Sequence, residues 1–252
     1  TIGFAGYVLA TNPDHLMQSQ GGDFPHYAQM AAELIDNTVA SPWRYRLLNR
    51  ILASWLIAAG LATEVAFFAL TAFFAWLSCV LMLIYLRELG LSTVGARGGA
   101  LLFAVSVGAY IPLRRYFGYT DALTNFFILL VLILAARRRY VLTAVVLGVA
   151  TLAKESTLLL LPFLAWRAIA ARRWRAAAMM IAAPVTVFLL LRFAITPDPS
   201  GASRVALTLE TQIEYWRTAM VHGLGRWLLW SLAYSMGPVW LLAVIALREN
   251  AA

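Results

Sequence analysis

Charge is what this 252-residue chain has least of: only 13 % of its residues are Asp, Glu, Lys or Arg, against about 25 % in water-soluble domains. Cysteine is nearly absent. The single one, Cys79, sits inside an apolar run, which excludes a disulfide framework and reads as a small core residue. Three histidines without metal-ligand spacing argue against a dedicated zinc site. There is no glycine-rich phosphate loop, no dinucleotide fingerprint and no serine elbow, so the common nucleotide-binding and serine-hydrolase signatures are not seen. Internal repeats and low-complexity tracts are missing too. No signal peptide is visible, and the first apolar run, residues 1–10, is too short for a bilayer crossing of about 20 residues. It is expected to be the outer end of a first span, the chain being a fragment at both ends.

What is present is apolar. Hydrophobic residues make up 62 % of the chain and its mean hydropathy is +0.76. A water-soluble fold would leave much of that surface wet at prohibitive cost. The expected fold is all-α, a polytopic transmembrane helix bundle with interfacial helices in the first outer loop. The formal charge of +8 falls in short basic runs between apolar stretches. Lipid headgroups and topology account for it without nucleic acid.

The chain reads as one transmembrane domain, 1–252. Residues 1–10 end the first span, and 11–63 form a first extracytoplasmic loop. Central spans occupy 64–193, a second outer segment 194–226, and a last span 227–247. In the first loop Phe24, Tyr27, Ala28, Ala31, Leu34 and Ile35 recur at helical spacing, predicting an interfacial amphipathic helix with Asp23 as N-cap. A short helix is expected over 51–61, and spans over 64–86, 98–113, 122–135, 140–153, 156–166 and 176–193. A helix over 207–220 is expected in the second outer segment. Several spans are short and must borrow flanking residues or sit in thinned bilayer.

Orientation follows from the short loops. Residues 136–140 and 166–175 carry seven arginines, against three cations (Arg114, Arg115, Lys154) on the other side. The arginine-rich side is therefore assigned to the cytoplasm. Over the whole chain the cations split ten and ten, but ten of the twelve acids fall outside. The long polar segments share that outer side, and any chemistry is expected there.

Transfer from a lipid phosphate needs a carboxylate to take the acceptor's proton and cations to neutralise the departing phosphate. Asp23, in Gly21-Gly22-Asp23-Phe24-Pro25-His26-Tyr27, suits the first role, although a helix cap explains it equally. Asp14 is a second acid or a plain turn residue; His26, beside Tyr27, is a hydrogen-bond donor or ligand. Arg114 and Arg115, followed by Tyr116, suit the second role or simply snorkel to headgroups. Lys154 and Glu155 are ionic neighbours at a very apolar hairpin tip, where a solvated turn is the plain alternative. Arg44, Arg46 and Arg50 approach helical spacing and would form a basic face over phosphate or acceptor. Asp121 reads first as an N-cap. Trp43, Tyr116, Trp216 and Trp227 fit an interfacial aromatic belt.

On these residues the chain resembles the GT-C superfamily of integral-membrane glycosyltransferases, among them polyprenol-phosphate-mannose-dependent mannosyltransferases, protein O-mannosyltransferases and aminoarabinose transferases. The likeness rests on Gly22-Asp23-Phe24-Pro25-His26-Tyr27, on Pro42-Trp43-Arg44-Tyr45-Arg46, on residues 112–123, and on Leu152-Ala153-Lys154-Glu155-Ser156, with alanine where the family commonly has threonine. It implies an inverting transferase of the bacterial inner membrane with its active site facing outside. Asp23 would be the base, Asp14 a paired acid, and Arg114, Arg115 and Lys154 the holders of the carrier phosphate. His26, Tyr27, Arg46, Tyr116, Asp121 and Glu155 would support them. The donor would be a polyprenyl-phosphate-linked sugar and the acceptor a glycan, lipid or protein. No cofactor is required; a divalent cation is compatible. Family members usually have more spans and often a soluble C-terminal domain. The rival expectations are a transporter or flippase for a lipid-linked or anionic solute, and a non-catalytic membrane assembly subunit. A transporter would place charged groups mid-membrane, whereas residues 65–86 hold no Asp, Glu, Lys or Arg.

Overall fold

A computed structural model of the chain describes residues 24–32, 45–105, 120–195 and 217. Among the described residues all regular structure is helical. In chain order these are α1 (Phe24–Ala32), α2 (Leu47–Ala58), α3 (Thr63–Glu88), α4 (Thr93–Val105), α5 (Asp121–Ala136), α6 (Tyr140–Ala153), a 3-10 turn (Glu155–Leu160), α7 (Leu161–Ala170), α8 (Trp174–Leu189) and a π turn (Leu190–Ile195). Two helices are long and apolar enough to cross a membrane, Thr63–Glu88 and Trp174–Ala194. At 1.5 Å per residue the first is about 39 Å long. Glu64 in its first turn and Arg87 in its last complement the helix dipole. The apolar helices α2, α4, α5 and α6 are shorter, at 10–17 residues.

Several boundaries differ from expectation for local reasons. α2 starts four residues early, at Leu47, and takes Asn49 and Arg50 into its buried face. α4 starts at Thr93, where the Ser92 hydroxyl accepts a bond from the Gly95 amide. Residues 106–119 lie outside the described set. The segment expected as one span from 156 begins instead as a 3-10 turn, and only Pro162, at the N-terminal edge of α7, opens regular α-helix. The expected helix over 207–220 and the last span lie outside the described residues, Arg217 apart. So do residues 1–10, Leu34 and Ile35.

α1 and α2 cover the N-terminal part of α3. Phe24, Tyr27, Met30 and Ala31 of α1 are buried against Ala53, Phe67, Phe68 and Leu70, and the Phe24 and Phe67 rings meet edge to face at 5.6 Å. The expected apolar face of α1 is therefore the one it buries. α3 packs on α5, α5 on α6, and α6 on α8. At the far end of α3, Glu88 holds Arg137 of the α5 terminus at 2.6 Å, so α3 and α5 run parallel. α6 returns antiparallel, and two chemically different ends result. One carries the α5 N-terminus, the α6 C-terminus and α2; the other carries the α5–α6 and α7–α8 turns.

Four helix ends close alike. After α2, α3, α5 and α7, an amide returns to the carbonyl three residues back and the next amide to the carbonyl five back, as in Gly60→Ile57 with Leu61→Leu56 and Arg138→Ala135 with Arg139→Leu134. The residue at the reversal must take positive φ. Gly60 (+98°) and Gly90 (+88°) do so freely, while Arg138 (+57°) and Arg172 (+55°) hold it at a cost of about 1–2 kcal/mol each.

The α6–α8 contact is close because Gly148 faces Val187 and Ala183. A Cβ there would meet Val187 Cγ2 at 3.6 Å and Ala183 backbone at 3.9 Å, ordinary contact with no room beyond. Gly148→Ala is expected to be neutral or to stabilise by up to about 1 kcal/mol through helix propensity. Gly148→Leu should destabilise by about 1–3 kcal/mol through overpacking. Thermal unfolding of the purified chain in detergent separates the two; a tolerated leucine would contradict this packing.

Candidate functional site

The end bearing the α6 C-terminus collects charge that the apolar chain otherwise avoids. α6 stops because Lys154 is extended (φ −162°, ψ 131°). The Lys154 carbonyl then accepts bonds from the Thr157 hydroxyl (2.9 Å) and amide (3.2 Å), which clamps the turn. With the backbone held, the side chains of Lys154 and Glu155 reach different partners. Lys154 donates to Asp121 at the start of α5. Glu155 accepts from Arg46, through Nε at 3.3 Å and Nη2 at 3.1 Å. The remaining Arg46 nitrogen, Nη1, donates to the Tyr27 hydroxyl at 2.7 Å.

Arg46 thus joins three parts of the chain: α1, the head of α2, and a turn 109 residues further on. Its side chain is 10 % exposed and Tyr27 is wholly buried. Burial pushes the guanidinium pKa down, but the Glu155 carboxylate and the Tyr27 hydroxyl more than offset this, and it stands above the ordinary arginine value. A raised pKa keeps the charge at every pH below that ordinary value, so no working pH discharges Arg46.

Further cations and unsatisfied polar atoms gather around this join. Arg50, one turn along α2, is fully buried. Arg192, on the π turn after α8, lies 5.0 Å over the Tyr45 ring and 5.8 Å over Phe188, an arrangement that holds a cation against aromatic faces. Among the described residues Arg192 has no ion-pair partner. The described ion-pairing side chains here are Arg46 with Glu155 and Lys154 with Asp121, and Arg192 stands beside them as a further cation. Two buried polar atoms, Asn49 Nδ2 and Thr120 Oγ1, lack hydrogen-bond partners among the described residues. Each such group costs about 1–3 kcal/mol unless a partner meets it.

The expected site residues divide accordingly. Tyr27, Arg46, Asp121, Lys154 and Glu155 come together at one end. His26 is half-buried on the same helix as Tyr27. Asp23, Asp14, Arg114, Arg115 and Tyr116 lie outside the described residues, as does Arg44. Two readings need correction. Thr120 holds the N-cap position of α5, without a side-chain cap bond, and Asp121 follows inside the first turn, its carboxylate accepting from Lys154. Arg46 does not stand open as a basic face, because all three of its donor positions are engaged. Arg192 was not among the expected residues. Its only signal is an arginine in the apolar run Leu190-Leu191-Arg192-Phe193, which snorkelling explains equally well. No group of three or more potential metal ligands occurs among the described residues.

Comparisons with protein-family models, curated proteins and solved structures found no match to this chain.

The Arg46–Glu155 join makes a direct prediction. Arg46→Met should destabilise by about 1–3 kcal/mol, the range for hydrogen bonds to charged groups, with Glu155's partial exposure keeping it there. Arg46→Lys should recover little, since an ammonium cannot reproduce the fork. A double-mutant cycle with Glu155→Gln should return a coupling of about 0.5–3 kcal/mol. A coupling of zero would show that the pair holds nothing.

Proposed function

We propose that the chain is a polytopic membrane glycosyltransferase that moves a sugar from a polyprenyl-phosphate carrier to an acceptor hydroxyl at the extracytoplasmic face of a bacterial inner membrane. The observation that carries this reading is Arg192, held over the Tyr45 and Phe188 rings beside the Arg46 join with no ion-pair partner among the described residues. A lipid-linked phosphate is an anion that such a cation would hold.

The membrane part draws on outward-facing apolar side chains. Trp55, Phe73, Leu101, Val105, Leu159 and Phe193 are each more than half exposed, on α2, α3, α4, the 3-10 turn and the π turn. Water would penalise a surface of this kind, whereas lipid solvates it. The short helices match a bundle in locally thinned bilayer. The separation of a mixed-charge end from an arginine-rich end fits the positive-inside rule, with the mixed end outside.

In the proposed reaction Asp23 takes the proton from the acceptor hydroxyl. Its position in the sequence, one residue ahead of α1, supports this, because Tyr27 on that helix is held by Arg46 beside the Lys154-Glu155 turn. The acceptor oxygen bonds to the anomeric carbon with inversion. The carbon–oxygen bond to phosphate breaks, and its electron pair stays on the carrier phosphate. Arg192, with Arg114 and Arg115, would neutralise that charge, and Lys154 would do so by exchanging Asp121 for the phosphate. Arg46 and Glu155 act as positioning residues, since their own bonds are satisfied.

Membranes carrying the wild type should transfer label from a polyprenyl-phosphate sugar. Asp23→Asn should reduce the rate by about 10²–10⁴-fold, the usual worth of a general base. Arg192→Gln should lower kcat/KM by roughly tenfold, the equivalent of one lost charge-assisted contact. Undiminished transfer by Asp23→Asn would remove it as base. Solute flux without any transfer would replace this reading with a transporter.

A further inference from the structure

At the other end of the helices, the α5–α6 and α7–α8 turns lie side by side and open a cleft of about 1100 Å³. Arg138 and Arg139 of one turn and Arg172, Arg173 and Arg175 of the other line it. All five are exposed. Among the described residues none of them forms an ion pair, and Glu88, the acid at the foot of α3, is already held by Arg137.

A topology signal alone does not ask for this arrangement, because cations counted toward orientation serve at any loop position. These sit where the backbone resists them. Arg138 and Arg172 occupy the left-handed positions that Gly60 and Gly90 fill without strain in the sister turns. Arg139 and Arg173 stand at the N-caps of α6 and α8, where the positive end of the helix dipole repels a cation. The five also repel one another. An anion seated between the two turns would relieve both repulsions.

The walls below the mouth identify the kind of anion. Val141, Leu142 and Val145 of α6 and Met179 of α8 line the same cleft, and all four are substantially exposed. Tyr140 and Trp174 stand at the junction of charged mouth and apolar wall, as side chains with an apolar body and a polar tip do at membrane interfaces. A soluble phosphate would use the mouth alone, whereas a phospholipid uses mouth and wall together.

We propose that this cleft binds an anionic phospholipid, with the headgroup phosphate among the five arginines and the acyl chains along α6 and α8. The site lies at the opposite end from the Arg46 cluster and rests on the membrane reading above, though not on the transfer reaction. A bound lipid would tie together the two turns that carry the α6–α8 contact.

The test uses the full chain in nanodiscs of mixed phosphatidylcholine and phosphatidylglycerol, with retained lipid identified by native mass spectrometry. The wild type should retain phosphatidylglycerol selectively. Arg138→Gly with Arg172→Gly should lose about fivefold selectivity per arginine removed. Because glycine suits both turns, this variant's thermal midpoint in pure phosphatidylcholine should not fall, which separates lost binding from lost folding. Arg139→Gln with Arg173→Gln should lose selectivity likewise. Equal phosphatidylglycerol retention by wild type and variants would overturn the proposal, and so would inorganic phosphate displacing the lipid completely in detergent. Failure of the chain to insert at all would sink the membrane reading and this site with it; insertion without selectivity would sink this site alone.

Discussion

The Arg46 guanidinium is the join on which the mixed-charge end of the molecule depends. It is nearly buried, and a buried cation is tolerable only where its donors are met. Tyr27 and Glu155 meet them in a planar fork that only arginine offers. The consequence reaches beyond the pair. With Glu155 committed to Arg46 and the Lys154 carbonyl committed to Thr157, Lys154 is left to turn toward Asp121. One interaction thereby sets where α1 and α2 sit against the bundle, and another, beside it, sets which way the hairpin tip presents its cation.

The two ends of the helices solve opposite electrostatic problems. At the Arg46 end cations and acids interlock, and Arg192 lies over aromatic rings beside them. At the other end five arginines stand together beyond the reach of Glu88, which Arg137 holds, and two of them, Arg138 and Arg172, take backbone positions that glycine would fill more cheaply. On the proposed membrane reading a bilayer would give this division a common cause, separating the two ends and offering each a different phosphate. The interlocked end suits a ligand that must be oriented for chemistry; the open arginine cleft suits one that need only be retained.

Local patterns in the chain made much of this legible. The α6 limits follow from an apolar run ended by Lys154, and the buried face of α1 from Phe24, Tyr27 and Ala31 recurring at helical spacing. The importance of Lys154 and Glu155 was visible because ions are rare in such a sequence. Their partners were not. Arg46 and Glu155 are 109 residues apart, and no periodicity links residues that meet only through the packing of α2 beside α6. Asp121 looked like a cap for the same reason: a carboxylate before an apolar run has a local explanation, and its tertiary partner is invisible in the sequence. Arg192 was hidden among apolar neighbours, and the 3-10 start of the Glu155–Leu160 segment depends on the Thr157 bonds to Lys154, which composition does not reveal.

The most direct test is to map where the carrier binds. A photoactivatable polyprenyl-phosphate sugar analogue, irradiated with the full chain in nanodiscs and followed by peptide sequencing, should mark the segments around Tyr45, Lys154 and Arg192, with competition by unlabelled carrier. Attachment confined to residues 137–145 and 171–179, or indifferent to competitor, would contradict a carrier site at the Arg46 end.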